Sequence, residues 1–187
     1  MIRNRPGLLV GAVVLTTAAL ALSACSDGDP ETNATGANSA NAAAEPAGAR
    51  EQRIDFTLPD LGGTERRLSE WDGDLVLLNF WATWCPPCKK EMPLFQDTFE
   101  THREAGFTVV AVAIDDQDAT RNFVDQYGIG FPVLIGQDDA MEIGREYGNR
   151  IGALPYSVLI DRDGTILETH RGEVESSDLE SWLQTHL

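Results

Sequence analysis

Cysteine, histidine and positive charge are all scarce in this chain, and each shortage narrows what it can do. Three cysteines in 187 residues exclude a small scaffold knitted by disulfides. Two of them, Cys85 and Cys88, form a Cys-x-x-Cys pair, a spacing that also supplies half of many zinc sites. The other half is missing: the third cysteine is Cys25, and His102, His170 and His186 are scattered. With 14 basic against 30 acidic residues the net charge is −16, which argues against nucleic acid as a partner. Between residues 51 and 187 there are 26 acidic and 11 basic residues, so nearly all of the excess lies there. That charge keeps a domain soluble or steers a basic partner; no run of acids is dense enough to mark a docking patch. From Ser26 to about Arg50 there is no aromatic residue and no Val, Ile or Leu, so no core can form in that stretch. Internal repeats are absent as well.

The first 25 residues have the layout of an export signal. Arg3 and Arg5 precede an uncharged stretch from Pro6 to Ala24, centred on Leu8 to Leu22. It ends in Leu22-Ser23-Ala24-Cys25, which resembles a bacterial lipobox, where cleavage before the cysteine leaves a lipidated N-terminal residue. An ordinary signal peptide that leaves Cys25 as an odd thiol is the other reading. Lipidation makes Cys25 a membrane anchor, stable once two or more acyl chains are attached at about 0.8 kcal/mol per buried methylene. The polar stretch that follows is then a tether spanning roughly 25 to 30 Å. The expected organisation is a lipoprotein signal peptide over 1–24, a lipidated cysteine and tether over 25–50, and one domain over 51–187.

Within that domain, strand and helix patterns alternate. Ile54–Leu61 and Glu65–Leu68 flank Gly62-Gly63 as a small hairpin. Leu75–Trp81 is a nearly continuous apolar run, as in a central strand covered on both faces. A helix is expected from Cys88 to about Glu104, with Met92, Phe95 and Phe99 as its apolar stripe and Pro93 as a kink. Then come a strand at Phe107–Ile114, a helix at Ala119–Tyr127, a strand at Phe131–Ile135 and a helix at Ala140–Tyr147. Tyr156–Ile160 and Thr165–Arg171 form a hairpin about Asp161-Arg162-Asp163-Gly164, and Ser177–Leu187 is the last helix. The pattern predicts an α/β sandwich with a central mixed sheet flanked by helices, an N-terminal β-hairpin and an inserted helix-strand segment.

Trp84-Cys85-Pro86-Pro87-Cys88 sits where the first central strand gives way to a helix. A thiolate at a helix N-terminus is stabilised by unpaired backbone N–H groups and the helix dipole. Cys85 is therefore the expected nucleophile and Cys88, one turn in, the resolving thiol. Pro86 and Pro87 stiffen the turn. Trp81 and Trp84 each suit an apolar platform for a target or a place in the core, with the surface role assigned to Trp84. Glu91 follows Cys88 by three residues, on the same side of the helix. It can relay the proton of Cys88 or be a solvated helix residue.

The run Leu78-Asn79-Phe80-Trp81-Ala82-Thr83-Trp84-Cys85-Pro86-Pro87-Cys88-Lys89-Lys90-Glu91-Met92-Pro93 resembles the active-site segment of the TlpA/ResA-like thioredoxin-fold proteins, related to CcmG/DsbE. Gly152-Ala153-Leu154-Pro155 before Tyr156–Asp161 resembles the same family's cis-proline loop. The resemblance implies a thioredoxin-like fold and extracytoplasmic thiol:disulfide oxidoreductase activity, with no cofactor beyond the Cys85–Cys88 pair. It implies a glutamate, here Glu91, beside the active-site cavity. Where many thioredoxins carry a buried aspartate, this chain has Asn79, which does not titrate. It also implies a cis bond before Pro155 that exposes the Leu154 backbone to an extended substrate. Tyr156 stands where many members have threonine, a departure that bears on substrate preference. The implied partners are disulfide-bearing envelope proteins, including apocytochrome c and cytochrome oxidase assembly factors, and a membrane electron donor of the DsbD/CcdA kind. Two other readings use the same cysteines. A peroxiredoxin-like peroxide reductase would place proline and threonine or serine where this chain has Leu78 and Ala82, and a copper-binding assembly factor would recruit a histidine, for which His170 is the candidate.

Overall fold

A computed structural model describes residues 50–187. The export signal, Cys25 and the tether up to residue 49 lie outside the described residues.

Two three-residue strands, β1 (Thr57–Pro59) and β2 (Glu65–Arg67), pair antiparallel as a hairpin. The core is a five-stranded sheet of β3 (Leu75–Trp81), β4 (Phe107–Ala113), β5 (Val133–Ile135), β6 (Tyr156–Ile160) and β7 (Ile166–Arg171). Its order is β5-β4-β3-β6-β7, with β3, β4 and β5 parallel and β6 and β7 antiparallel to their neighbours. The helices are α1 (Pro86–His102), α2 (Gln117–Tyr127), α3 (Gln137–Glu146) and α4 (Ser176–His186). This is the expected α/β architecture with its mixed sheet, and a helix-strand unit, α2–β5, lies between β4 and α3.

Every residue of β3, β4 and β6 is buried, as a sheet covered on both faces requires. Period-two alternation divides their side chains. Leu75, Leu77 and Trp81 join Met92 and Phe95 of α1, Phe123 of α2 and Leu179 of α4 on one face. Val76, Leu78 and Phe80 join Ala140 of α3 and Tyr147 on the other. Each such large apolar side chain contributes about 1.5–3 kcal/mol through burial. Asn79, by the same alternation, points to the α1 face.

Element boundaries move where local chemistry decides them. Helix α1 begins at Pro86 rather than Cys88, because proline has the φ a helix needs and its missing N–H costs nothing in the first turn. It runs through Pro93 as one element, although proline leaves the Lys89 carbonyl without its helical donor. Helix α2 begins two residues early because the Asp116 side chain caps it, accepting from Ala119 N at 2.8 Å. The first expected strand shrinks to β1, since Asp60 Oδ1 turns the chain by accepting from Gly62 N and Thr64 N. Strand β5 starts at Val133, after Pro132, which has no N–H to give a ladder.

Candidate active site

The antiparallel register of β3 and β6 places Phe80 opposite Tyr156, so the end of β3 and the start of β6 share one edge of the core. The Cys85 turn leaves from that edge, and the Leu154-Pro155 segment arrives at it.

Cys85 is the N-cap of α1, and Pro86 and Pro87 occupy its first two positions. Two backbone donors are thereby removed, and the first amide available to a sulfur is that of Cys88. It donates to Cys85 Sγ at 3.3 Å. The two sulfurs are bonded at 2.08 Å, with Cα atoms 5.3 Å apart. Cys85 is 4% exposed and Cys88 0%, so only Cys85 can be reached from outside. Trp84, 64% exposed, stands beside it, whereas Trp81 is core and packs on Phe123 with ring centroids 5.0 Å apart. Sequence reasoning passed over what holds this turn. Asp115, after the end of β4, accepts from the amide of Thr83 at 3.0 Å and from its hydroxyl, two residues before Cys85.

The Leu154–Pro155 bond is cis. Asn149 braces the loop before it, donating Nδ2 to the Ala153 carbonyl at 2.8 Å and accepting Ala153 N at 3.0 Å. Leu154 packs against the apolar cluster that contains Cys85 and Cys88. Among the described residues, no turn or loop hydrogen bond uses its backbone. Tyr156 is buried and donates its hydroxyl to the Tyr147 carbonyl at 2.7 Å. It is a brace between β6 and the end of α3.

Glu91 is the buried acid of the site, 1% exposed. Its Oε1 accepts from Asn79 Nδ2 at 2.9 Å and its Oε2 from the Val174 amide at 3.0 Å. Burial disfavours the carboxylate and raises its pKa to about 7, although both hydrogen bonds pull the other way. Asn79 Nδ2 donates a second time, to Ser157 Oγ at 3.0 Å. Ser157 stands opposite Asn79 in the β3–β6 ladder. Two polar residues interrupting apolar central strands were the signal that could have found this network. Glu91 also lines a cleft of about 550 Å³ between α1 and the segment Glu173–Ser177. A solvated helix residue it is not.

The peroxide-reductase reading fares less well. Leu78 is fully buried on the face away from α1, and Ala82, three residues before Cys85, has no hydroxyl to offer that sulfur. His170 Nε2 lies 3.0 Å from the Glu173 carbonyl and its ring stands edge-on to Trp182. Among the described residues no group of three His, Cys, Asp or Glu side chains is placed to hold a metal ion.

Known proteins agree with this geometry. The AhpC/TSA family pattern matches residues 49–169. Thiol-disulfide oxidoreductase ResA of Bacillus thuringiensis is 42% identical over 130 residues, covering 69% of this chain and 73% of its own. The crystal structure of a thiol:disulfide interchange protein DsbE from Chlorobium tepidum superposes with a TM-score of 0.66 at 32% identity, covering 73% of this chain and 95% of its own. A secreted thiol-disulfide isomerase from Corynebacterium glutamicum superposes at 0.65 with 27% identity, covering 71% and 83%. The fold is thioredoxin-like, and the chain belongs to the AhpC/TSA family as a ResA-like thiol-disulfide oxidoreductase.

Proposed function

We propose that the protein reduces disulfides of envelope proteins on the outer side of the membrane through the Cys85–Cys88 pair. The observation that carries the mechanism is the unequal placement of the two sulfurs at the start of α1. In the reduced protein Cys85, at the helix N-terminus, is the thiolate that attacks a target disulfide. One target sulfur leaves as thiolate and the other stays bonded to Cys85. Cys88 then loses its proton and attacks Cys85 Sγ, which closes the internal disulfide and releases the second target sulfur. Glu91, one turn beyond Cys88 and with a pKa of about 7, takes that proton. The cleft beside Glu173–Ser177 gives the proton a way out to water.

Trp84, Pro86 and Leu154 receive the target. Trp84 and Pro86 present apolar surface beside Cys85, and the unused backbone of Leu154 suits an extended segment added as a strand. Each turnover ends with the protein oxidised, so an electron donor of the DsbD/CcdA type must restore the dithiol. The export-signal pattern before Cys25 and the likeness to a secreted isomerase support an envelope location, with lipid on Cys25 as the tether. Apocytochrome c and cytochrome oxidase assembly factors are the targets that the family likeness suggests.

The test is steady-state reduction of a protein disulfide by the wild type, Cys85→Ser and Cys88→Ser, together with the reduction potential. Loss of turnover in both variants and a potential near that of thioredoxin, about −270 mV, are expected. A potential near −120 mV, about that of DsbA, would mark an oxidant instead.

A further inference from the structure

We infer that Asn79 is a positioning residue whose side-chain amide turns over when Glu91 gains or loses its proton, so that one buried site satisfies both states of the acid. The inference rests on the proposed proton transfer from Cys88 to Glu91.

The hydrogen-bond inventory around Asn79 is lopsided. Both bonds of its side chain come from Nδ2, one to Glu91 Oε1 and one to Ser157 Oγ. Its Oδ1 is buried and has no partner among the described residues. An orphaned carbonyl deep in a core loses its water without gaining a partner, which is a net cost to folding. The arrangement suits the carboxylate form of Glu91, which only accepts: Asn79 supplies one donor and the Val174 amide the other.

Protonation breaks that match. A carboxylic acid has an O–H to donate, and each oxygen of Glu91 already faces an N–H. The Val174 amide is backbone and cannot exchange donor for acceptor. Asn79 can, because half a turn about its terminal side-chain bond swaps Oδ1 and Nδ2. After that turn Oδ1 accepts the new O–H of Glu91 Oε1. Ser157 accommodates the change, since a hydroxyl that accepted from Nδ2 can donate to Oδ1 instead. Proton uptake thus reverses the direction of both bonds, Glu91 to Asn79 and Ser157 to Asn79, while no heavy atom of the backbone moves. The orphan becomes Nδ2, a dearer group to leave unpaired than a carbonyl. That penalty restrains the upward pull of burial and helps keep the acid near neutrality.

Other groups around Glu91 set its charge environment without sharing the amide. Glu173 opposes the carboxylate from the β7–α4 loop, and Lys90 of α1 pairs with Glu173 at 3.3 Å. Glu175 lies on the same cleft and His170 of β7 meets the Glu173 carbonyl. Strands β3 and β6 present only Asn79 and Ser157, neither of which titrates. In the oxidised protein the two cysteines do not titrate either.

The experiment is NMR of the oxidised full chain, following the Asn79 side-chain NH2 and the Glu91 carboxyl carbon from about pH 4 to pH 9. In the wild type the two signals should move together with one midpoint, the amide protons losing their hydrogen-bonded shifts as Glu91 protonates. In Glu91→Gln the side chain at that position donates at every pH, so the Asn79 signals should be frozen at the wild-type low-pH limit. Ser157→Ala should keep the joint movement and shift its midpoint. Asn79 signals that stay constant while Glu91 titrates overturn the inference, as do signals in Glu91→Gln that match the high-pH limit. No exchange occurs during the measurement, so a negative result leaves the cysteine mechanism standing. Failure of that mechanism would appear separately, as missing Cys85 adducts with the amide titration intact.

Discussion

Glu91 Oε1 and Asn79 Nδ2 lie 2.9 Å apart inside the core, one residue on the active-site helix and the other in the central strand. Burial outweighs this bond and raises the Glu91 pKa from its ordinary 4.5 to about 7. Folding therefore favours the protonated acid. The stability this adds is complete below about pH 4.5 and is lost as pH rises through about 7. Its full size is about 3 kcal/mol at 1.36 kcal/mol per pH unit. Urea unfolding of the oxidised wild type and of Glu91→Gln over this range should show the wild type losing about that much relative to the variant. Parallel curves would remove Glu91 as a buried titrating group.

Trp84 should matter to targets and not to folding. It is 64% exposed, so Trp84→Ala should leave the melting temperature unchanged. KM for a protein disulfide should rise roughly tenfold, equivalent to about 1.4 kcal/mol of lost contact. The rate with a small soluble disulfide, which has no surface to lay against the ring, should stay the same. Equal losses with both substrates would place Trp84 in the chemistry instead.

Asp115 should matter to both. Asp115→Ala strips two acceptor contacts from Thr83, leaving a partly buried amide and hydroxyl without partners. The expected loss is about 1–3 kcal/mol, with a slower reaction at Cys85 as its turn loosens. Asp115→Asn keeps one carbonyl oxygen for Thr83 and should lose less. Chemical denaturation and the rate of Cys85 alkylation in the reduced protein measure the two effects.

Gly136 joins β5 to α3 under the N-terminal hairpin. A Cβ there would lie 2.6 Å from Ala140 Cβ and 2.9 Å from Leu58 Cδ1. Its φ of −132° is open to any residue, so space alone demands glycine. Gly136→Ala should destabilise the protein by about 1–3 kcal/mol through overpacking. Leu58→Ala should cost less in the Gly136→Ala background than in the wild type, because it removes one of the clashing groups, and equal costs would place the whole clash at Ala140 within α3.

Much of the fold was legible because β3, β4 and β6 are apolar throughout and the breaks between elements carry Gly, Asp or Pro. The turn Asp161–Gly164 and the helix end at Gly128 fell where expected, the latter at a left-handed φ of 63°. Boundaries were less legible where side chains decide them, as with the Asp116 cap and the Asp60 turn. The cysteines were legible through their spacing at a strand-to-helix junction. Glu91 was visible as a neighbour of Cys88, but not as a buried group, because its burial depends on the β7–α4 loop from the far end of the domain. Asp115 and Ser157 act on residues 32 and 78 positions away. Contacts that distant leave no local pattern, although a serine and an asparagine in two apolar strands were a visible anomaly.

The proposed division of labour, in which Cys85 attacks and Cys88 resolves, is read out by mass spectrometry of the adducts that reduced Cys88→Ser and Cys85→Ser form with a peptide disulfide. Cys88→Ser should accumulate one peptide bonded to Cys85, whereas Cys85→Ser, whose remaining sulfur is buried, should form adduct far more slowly. Equal adduct formation on Cys88, or none on Cys85, would contradict the account.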